Sequence, residues 1–166
     1  MARKILSASI AAGAIVAACS FLMVGTASAG NRLMAGFTPG KCLDIINDGQ
    51  NNKLVMAKCG KYSGQDWTAT RIGSTDGFKL RNNFSGANKC LDVVNDGRND
   101  KLIMAACGNY SGQSWSIPKA GKVGAFQNDF TGAGKCLDII NDGQNNKLIL
   151  AKCGNFSGQH WNAAPF

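Results

Sequence analysis

One nine-residue motif occurs three times in this chain at nearly equal spacing. It reads KCLDIINDG at Lys41–Gly49, KCLDVVNDG at Lys89–Gly97 and KCLDIINDG again at Lys135–Gly143. Each copy is followed by a Cys-Gly pair and then by Gln-x-Trp. A repeat of this length indicates three copies of one supersecondary unit that bury a common core. We therefore divide the chain into repeats at about 31–77, 78–123 and 124–166.

Each repeat contains short apolar segments separated by polar or glycine-rich connections. In the second repeat, Phe78–Arg81 alternates apolar and polar residues, as a half-buried strand does. Lys89–Val94, Lys101–Cys107 and Trp115–Ile117 are further strand candidates, and Asn95-Asp96-Gly97 is a turn sequence that tolerates positive φ. Four strands in each repeat predict an all-β fold of twelve strands with pseudo-threefold symmetry, which is a β-trefoil. A propeller is the alternative, but three blades are fewer than propellers use.

The first 29 residues have the pattern of a signal peptide. Arg3-Lys4 precedes an apolar stretch at Ile5–Val24, and Ala27–Ala29 has the small residues that signal peptidase accepts. We expect cleavage after Ala29 and secretion of residues 30–166 as one domain. An uncleaved anchor and lipidation at Cys19 are the alternatives. No second apolar stretch is long enough to cross a membrane, so no transmembrane segment is expected in the mature chain.

Six cysteines remain after removal of the signal segment, and an even number in an exported protein indicates a disulfide framework. Fifteen pairings are possible for six cysteines. Only pairing within each repeat respects the threefold pattern, with the partners 17 positions apart each time. We therefore predict one disulfide per repeat: Cys42–Cys59, Cys90–Cys107 and Cys136–Cys153. Once these cysteines are paired, no metal-ligand spacing is left, and neither a metal nor a cofactor is predicted.

The charge of the chain favours acidic partners. The formal net charge is +8, and it falls to +6 when Arg3 and Lys4 leave with the signal segment. A modest positive field attracts anionic glycans, cell-wall polymers or nucleic acid, but it does not choose among them. No motif predicts specific recognition of nucleic acid.

The triplicate combination of Cys-Leu-Asp, a second Cys and Gln-x-Trp resembles the ricin B-type lectins and the related trefoil carbohydrate-binding modules of bacterial glycanases. The resemblance covers nearly all of residues 31–166 and implies one shallow sugar pocket per repeat. In that family the Asp of Cys-Leu-Asp accepts hydrogen bonds from sugar hydroxyls, a role that would fall on Asp44, Asp92 and Asp138. The Trp residues are predicted to fill the barrel centre, and the Gln residues to satisfy polar groups beside them. These residues are Trp67, Trp115 and Trp161, with Gln65, Gln113 and Gln159.

Two positions depart from the family pattern in all three repeats. The aromatic residue that stacks on the sugar two places before the second Cys is replaced by alanine, at Ala57, Ala105 and Ala151. The Asn before the Gln of Gln-x-Trp is replaced by glycine, at Gly64, Gly112 and Gly158. Since all three repeats share both changes, the pocket is interpreted as redesigned.

Other residues that recur threefold are candidates for the missing contacts. An aromatic residue three places after the second Cys either offers a stacking face or packs on the barrel rim; these are Tyr62, Tyr110 and Phe156. The asparagines of Asn-Asp-Gly serve either as turn residues or as a polar cup for sugar hydroxyls; these are Asn47, Asn95 and Asn141. A third aromatic set is expected to fill the core, and it consists of Phe37, Phe84 and Phe130.

The residues argue against catalysis. His160 is the only histidine, it has no counterpart in the other repeats, and the chain contains no Glu. The predicted function is therefore that of a secreted lectin or carbohydrate-binding module with up to three weak sites. Its expected ligands are glycans or polysaccharides, and the positive charge of the chain extends this expectation to acidic ones. The alternative is a non-catalytic interaction protein, such as an inhibitor, adhesin or toxin-accessory module, that binds protein or anionic polymers.

Overall fold

Short antiparallel strands are the main regular structure in the computed structural model, which describes residues 31–119 and 122–163. The proposed signal segment, including Cys19, lies outside the described residues. Within the described ranges, no helix is long and apolar enough to cross a membrane. The strands are β1 (Leu33–Ala35), β2 (Lys41–Ile45), β3 (Leu54–Lys58), β4 (Trp67–Arg71), β5 (Phe78–Asn82), β6 (Lys89–Val93), β7 (Leu102–Ala106), β8 (Trp115–Ser116), β9 (Val123–Gly124), β10 (Gln127–Asn128), β11 (Gly132–Ile139), β12 (Leu148–Lys152) and β13 (Trp161–Ala163).

The first and fourth strands of the repeats close into a barrel. Antiparallel pairing runs from β1 to β13 and β9, and from β10 through β8 and β5 to β4. The ring closes between β4 and β1, where the backbone groups of Asn31 and Trp67 exchange hydrogen bonds of 3.0 and 3.1 Å. The barrel strands therefore form a closed ring among the described residues.

Three hairpins with the same register complete the repeats: β2–β3, β6–β7 and β11–β12. In the first, Leu43 and Ile45 are buried, while Asp44 between them points away from the core because side chains alternate along a strand. The predicted pairing within each repeat is confirmed by the disulfides Cys42–Cys59, Cys90–Cys107 and Cys136–Cys153. Each disulfide joins the start of a hairpin to the residue that follows its second strand.

The three Trp residues of Gln-x-Trp form the centre of the core, as predicted. Trp67, Trp115 and Trp161 are 0 % exposed. Each indole Nε1 donates a 2.9 Å hydrogen bond to a backbone carbonyl of the same repeat, on Leu43, Leu91 and Leu137 respectively. Burial of the ring and satisfaction of its polar N–H are thus achieved together.

The all-β trefoil prediction is confirmed, with one difference in strand count. The first strand of the third repeat is divided into β9 and β10, which gives thirteen strands among the described residues. Gly124 of β9 pairs with Trp161 of β13, whereas Gln127 of β10 pairs with Ser116 of β8. Phe126, between them, is 0 % exposed. The strand is therefore interrupted where it changes partners and inserts this ring into the core.

Candidate functional site

Each repeat carries one surface depression built from equivalent residues. The depressions have volumes of about 410 Å³ at Asp44, 640 Å³ at Asp92 and 400 Å³ at Asp138. The candidate Asp, Asn and aromatic residues all line them, as the sets Asp44, Asn47 and Tyr62; Asp92, Asn95 and Tyr110; and Asp138, Asn141 and Phe156. The structure thus brings together, three times, residues that come from a strand, a hairpin loop and the segment after the second Cys.

The carboxylate of Asp44 is held at both of its oxygens and still faces the depression. Oδ1 accepts a 2.7 Å hydrogen bond from the backbone N–H of Ile45, and Oδ2 accepts a 2.8 Å bond from Nε2 of Gln65. An ionised carboxylate has about four acceptor positions, so about two remain. Asp92 and Asp138 make the same pair of bonds with their own repeats. These side chains are only half-buried, so a ligand hydroxyl has access to them.

The glutamine of Gln-x-Trp lies behind the carboxylate. Gln65 is 1 % exposed, and its Nε2 also donates to the carbonyl of Lys58 at 2.9 Å. Its Oε1 accepts the backbone N–H of Gly60 at 2.8 Å. Gln113 and Gln159 are 0 % exposed and make equivalent bonds. These three glutamines were predicted as sugar contacts, but their amides are buried and already paired. They therefore lie behind the depression and support the carboxylate.

The glycine before each Gln makes room for the carboxylate. A Cβ built on Gly64 would overlap Oδ1 of Asp44, and the same holds for Gly112 with Asp92 and for Gly158 with Asp138. An Asn at this position would therefore displace the carboxylate. The position of the carboxylate in this structure therefore requires a glycine before each Gln.

The third candidate set places an aromatic ring beside each carboxylate. Tyr62, Tyr110 and Phe156 are 64 %, 65 % and 59 % exposed. A Cβ on Gly60 would overlap the ring of Tyr62, so the ring lies directly against that glycine. Gly108 and Gly154 support the other two rings in the same way. Each ring thus rests against a glycine and is more than half exposed beside the carboxylate of its own depression.

Phe84 was expected to fill the core and is instead only partly buried. It packs against the core cluster and also forms a wall of the depression at Asp44. Phe130 and Phe37 wall the depressions at Asp92 and Asp138 in the same way. Each wall comes from a different repeat than the Asp. Every depression therefore lies between two repeats, and the threefold recurrence of Phe was the signal that could have revealed this.

Buried asparagines fix two of these walls. Asn82 is 2 % exposed; its Nδ2 donates to the carbonyl of Gly64 at 2.8 Å, and its Oδ1 accepts the N–H of Phe84 at 2.9 Å. Asn128 links Gly112 to Phe130 with bonds of 2.9 and 3.0 Å. For the third wall, the backbone N–H of Phe37 donates directly to the carbonyl of Ser157 at 3.2 Å.

The repeated lysines are committed to structural contacts away from the depressions. Nζ of Lys41 donates to the carbonyls of Gln144 and Asn145 in another repeat, at 2.6 and 3.2 Å. Lys53 pairs with Asp48 at 2.9 Å, and the equivalent pairs are Lys101 with Asp96 and Lys147 with Asp142. Among the described lysines, Lys61 lines one of the three depressions, where the other repeats have Asn109 and Asn155.

A closed barrel, three hairpins and one acidic and aromatic depression per repeat define a β-trefoil of the lectin type. Residues 31–163 match the family model described as the ricin-type beta-trefoil lectin domain, and the chain belongs to this family. The domain of this family is a carbohydrate-binding, non-catalytic fold. A comparison with curated protein sequences finds no match.

Several solved structures share the fold at low sequence identity. The designed threefold-symmetric protein ThreeFoil is 24 % identical with a TM-score of 0.65, over 82 % of this chain and 98 % of that one. A lectin from Polyporus squamosus, bound to Neu5Acα2-6Galβ1-4GlcNAc, is 15 % identical with a TM-score of 0.61, over 81 % and 48 % of the two chains. A mosquitocidal holotoxin is 17 % identical with a TM-score of 0.68 over 82 % of this chain, which spans 17 % of the holotoxin.

Proposed function

We propose that this protein is a secreted carbohydrate-binding protein with three weak sites, one in each repeat. A single observation carries the proposal: in every repeat, one half-buried carboxylate faces the same depression as an exposed aromatic ring. Sugars present both kinds of complementary surface, namely hydroxyl donors and a flat apolar face. The family to which the chain belongs supports the same assignment.

Each side chain in the depression has its own part in binding. In the second repeat, Asp92 accepts hydrogen bonds from sugar hydroxyls at the positions left free by Val93 and Gln113, each worth about 1.5–3 kcal/mol when it is well shielded. The ring of Tyr110 stacks on the sugar face and removes apolar area from water. Asn95, exposed in the same depression, supplies a second polar contact. Gln113 positions the carboxylate and does not touch the ligand.

Three weak sites on one rigid body favour a repetitive ligand. The depressions are open, so each site binds a single sugar unit only weakly. Once one site holds a polysaccharide chain, binding of the same chain by the other two sites is intramolecular. The overall affinity rises although no single site makes new contacts. A polysaccharide with many equivalent units is therefore the expected ligand.

The cysteine pattern supports export. Three disulfides in a domain of this size are typical of oxidising compartments. The proposed signal segment at residues 1–29 agrees with this localisation. Secretion of the chain and its length after export are tested together by mass spectrometry of the culture medium.

A glycan array followed by calorimetry tests the proposal. The exported protein is purified from the medium, applied to the array, and titrated with the best ligand to obtain the affinity and the number of sites. The variant with Asp44→Ala, Asp92→Ala and Asp138→Ala is expected to lose binding and to stay folded with a lowered melting temperature, because each Gln keeps its backbone partners but loses its bond to the carboxylate. Asp76→Ala, at an exposed carboxylate outside the depressions, is the control. Full glycan binding by the triple variant overturns the proposal.

An anionic glycan or polymer is the second candidate, and one residue favours it. Lys61 lines the depression at Asp44 and adds a positive charge there. Electrostatic binding weakens between about 50 and about 500 mM salt, whereas affinity for a neutral sugar barely changes. Lys61→Asn, which copies the residue of the other two repeats, is expected to remove the salt dependence at that site.

A further inference from the structure

Five buried side-chain oxygens without a hydrogen-bond partner belong to one symmetric set of loop residues. Among the described residues, eight buried polar side-chain atoms have no partner, and five of them are asparagine Oδ1 atoms next to the third strand of each repeat. They belong to Asn51, Asn52, Asn99, Asn145 and Asn146. A buried acceptor without a partner is costly, and its presence indicates a bound water or ion.

These loops form a closed ring around the pseudo-threefold axis. The carbonyl of Asn52 accepts the N–H of Met104 in the second repeat at 2.8 Å, and that of Asp100 accepts the N–H of Leu150 in the third at 2.8 Å. The carbonyl of Asn146 then accepts the N–H of Met56 in the first repeat at 2.9 Å. The strands β3, β7 and β12 also contact one another pairwise. We refer to residues 51–52, 99–100 and 145–146 as the axial ring.

The backbone of the axial ring is strained in the same way three times. Asn51, Asn99 and Asn145 have φ of 52°, 52° and 51°, and they are the only non-glycine residues in the described ranges with positive φ. Such conformations cost energy and cluster at ligand sites. In Asn52 and Asn146, Nδ2 is directed to an exposed Gln at 3.4 Å, while Oδ1 is the buried atom. In both amides the acceptor is therefore the buried atom and the donor faces a neighbouring side chain.

The second repeat adds a negative charge at this place. Asp100 stands where the other repeats have Asn52 and Asn146, and its side chain is 14 % exposed. One of its oxygens lies 3.3 Å from Nη2 of Arg98, and the other accepts no hydrogen bond from the described residues. The side chains of the axial ring thus supply five buried amide oxygens and one carboxylate, while the backbone carbonyls of Asn99 and Asn145 already accept Nζ of Lys135 and Lys41 at 3.2 Å.

We propose that the axial ring binds a hard metal cation, of which Ca²⁺ is the best match. Ca²⁺ takes six to eight oxygen ligands in flexible geometry, from amide, carbonyl and carboxylate groups. Mg²⁺ demands near-ideal octahedral geometry and gives up water reluctantly, so it binds less well. With one carboxylate, the dissociation constant is expected in the range of about 10⁻⁴ to 10⁻³ M. Na⁺ shares the preference for oxygen and is tested in a separate arm.

The sequence predicted no metal because its cysteines, histidine and acids have no ligand spacing. The described residues likewise hold no group of three or more His, Cys, Asp and Glu side chains that could bind a metal. Amide oxygens contributed by three separate repeats do not appear in such a pattern. The site exists only when the three loops meet at the axis.

Titration of the chelator-treated protein tests the proposal, with melting temperature and calorimetry as readouts. Millimolar Ca²⁺ is expected to raise the melting temperature by several degrees, while Mg²⁺ and choline chloride at equal ionic strength do not. Asp100→Asn is expected to weaken Ca²⁺ binding about tenfold, and Asn52→Asp to strengthen it. Asp76→Asn removes the same charge from an exposed position and should have no effect. The double variant Arg98→Gln with Asp100→Asn gives the second repeat the residues that repeats one and three have at these positions. It replaces Asp100→Asn in the comparison with the parent protein if that single variant folds poorly.

The outcomes are distinct. A shift with Na⁺ alone assigns the axial ring to a monovalent cation, which supports the oxygen site. Equal shifts with Ca²⁺, Mg²⁺ and choline, or equal losses in the Asp76 and Asp100 variants, overturn the proposal and leave water as the partner of these oxygens. The result is independent of sugar binding, because no residue of the axial ring lines a depression among the described residues.

Discussion

Nε2 of the fully buried Gln113 lies 2.8 Å from Oδ2 of Asp92, so a core amide holds the carboxylate that faces the depression. Trp115, two residues after this Gln, donates to the carbonyl of Leu91, the residue just before the Asp. Gln-x-Trp therefore binds Cys-Leu-Asp at two adjacent points. The same two bonds occur in the other repeats. Two motifs that are 21 residues apart form one hydrogen-bonded unit.

Replacement of Gln113 by Met tests this unit in one repeat. The substitution keeps the length of the side chain but leaves the N–H of Gly108 and the carbonyl of Ala106 without their partner. We expect a loss of about 2–3 kcal/mol in the free energy of unfolding. We also expect one of the three binding equivalents to disappear. Urea denaturation and calorimetry measure the two effects, and Gln50→Met at an exposed glutamine is the control; equal stability of both variants would contradict the prediction.

The fold was predictable because its signals are local and repeated. Equal spacing of Cys-Leu-Asp and Gln-x-Trp predicted three units, and the 17-residue spacing of the cysteines predicted their pairing. The positions of Trp67 and its counterparts followed from the need to bury a large ring at symmetric places. The outward direction of Asp44 followed from its neighbours in the strand, since it lies between two buried apolar residues.

The remaining features depend on contacts between repeats, which the pattern of one repeat does not contain. Phe84 walls a depression that belongs to the preceding repeat, so its own surroundings in the sequence suggested a core residue. Gly64 was interpreted as a lost sugar contact, because its overlap with Asp44 is visible only when both are placed. The axial ring requires three loops at once. Sequence reasoning therefore identified the acidic and aromatic residues of the site but not its walls or supports.

The second prediction concerns the glycine beneath the carboxylate. Gly112→Ala places a Cβ where Oδ1 of Asp92 lies, so the carboxylate must move from the depression. The affinity of this site is expected to fall about 10- to 100-fold, which corresponds to one charge-assisted hydrogen bond. Calorimetry in a background with Asp44→Ala and Asp138→Ala isolates the site. Gly134→Ala, at a glycine with open space around it, should bind normally. Normal binding by both variants would show that the carboxylate is not a ligand.

The third prediction concerns the aromatic platform. In the same single-site background, Tyr110→Ala should lower the affinity about fivefold to tenfold because the stacking face is lost. Tyr110→Phe should bind as well as the parent, since Phe156 occupies this place in the third repeat. Gly108→Ala, which displaces the ring from its support, should resemble Tyr110→Ala. An equal loss in the Phe and Ala variants would assign the contact to the hydroxyl instead of the ring.

The fourth prediction is a dependence of stability on acid pH. A hydrogen bond from Lys101, followed by one from the backbone N–H of Asn99, lowers the pKa of Asp96 from 3.8 to about 2. Because the pKa is lower in the folded state, the carboxylate stabilises the fold above pH 3.8, and this contribution is lost as the pH falls toward 2. The pKa values of Asp48 and Asp142 are lowered for the same reasons.

Asp96→Asn should therefore reduce the fall in melting temperature over this acid window, and Lys101→Met should do the same because it removes the main cause of the lowered pKa. Lys58→Met removes a positive charge that has no ion pair among the described residues, and the steeper acid dependence should remain. Melting curves at intervals across the window measure all three variants. The effect should also weaken in concentrated salt, since these side chains are exposed and screened. The prediction is contradicted if the melting temperature falls equally with pH in the parent, in Asp96→Asn and in Lys101→Met. The pKa of Asp96 would then be the same in the folded and unfolded chain, and the ion pair would not stabilise this loop.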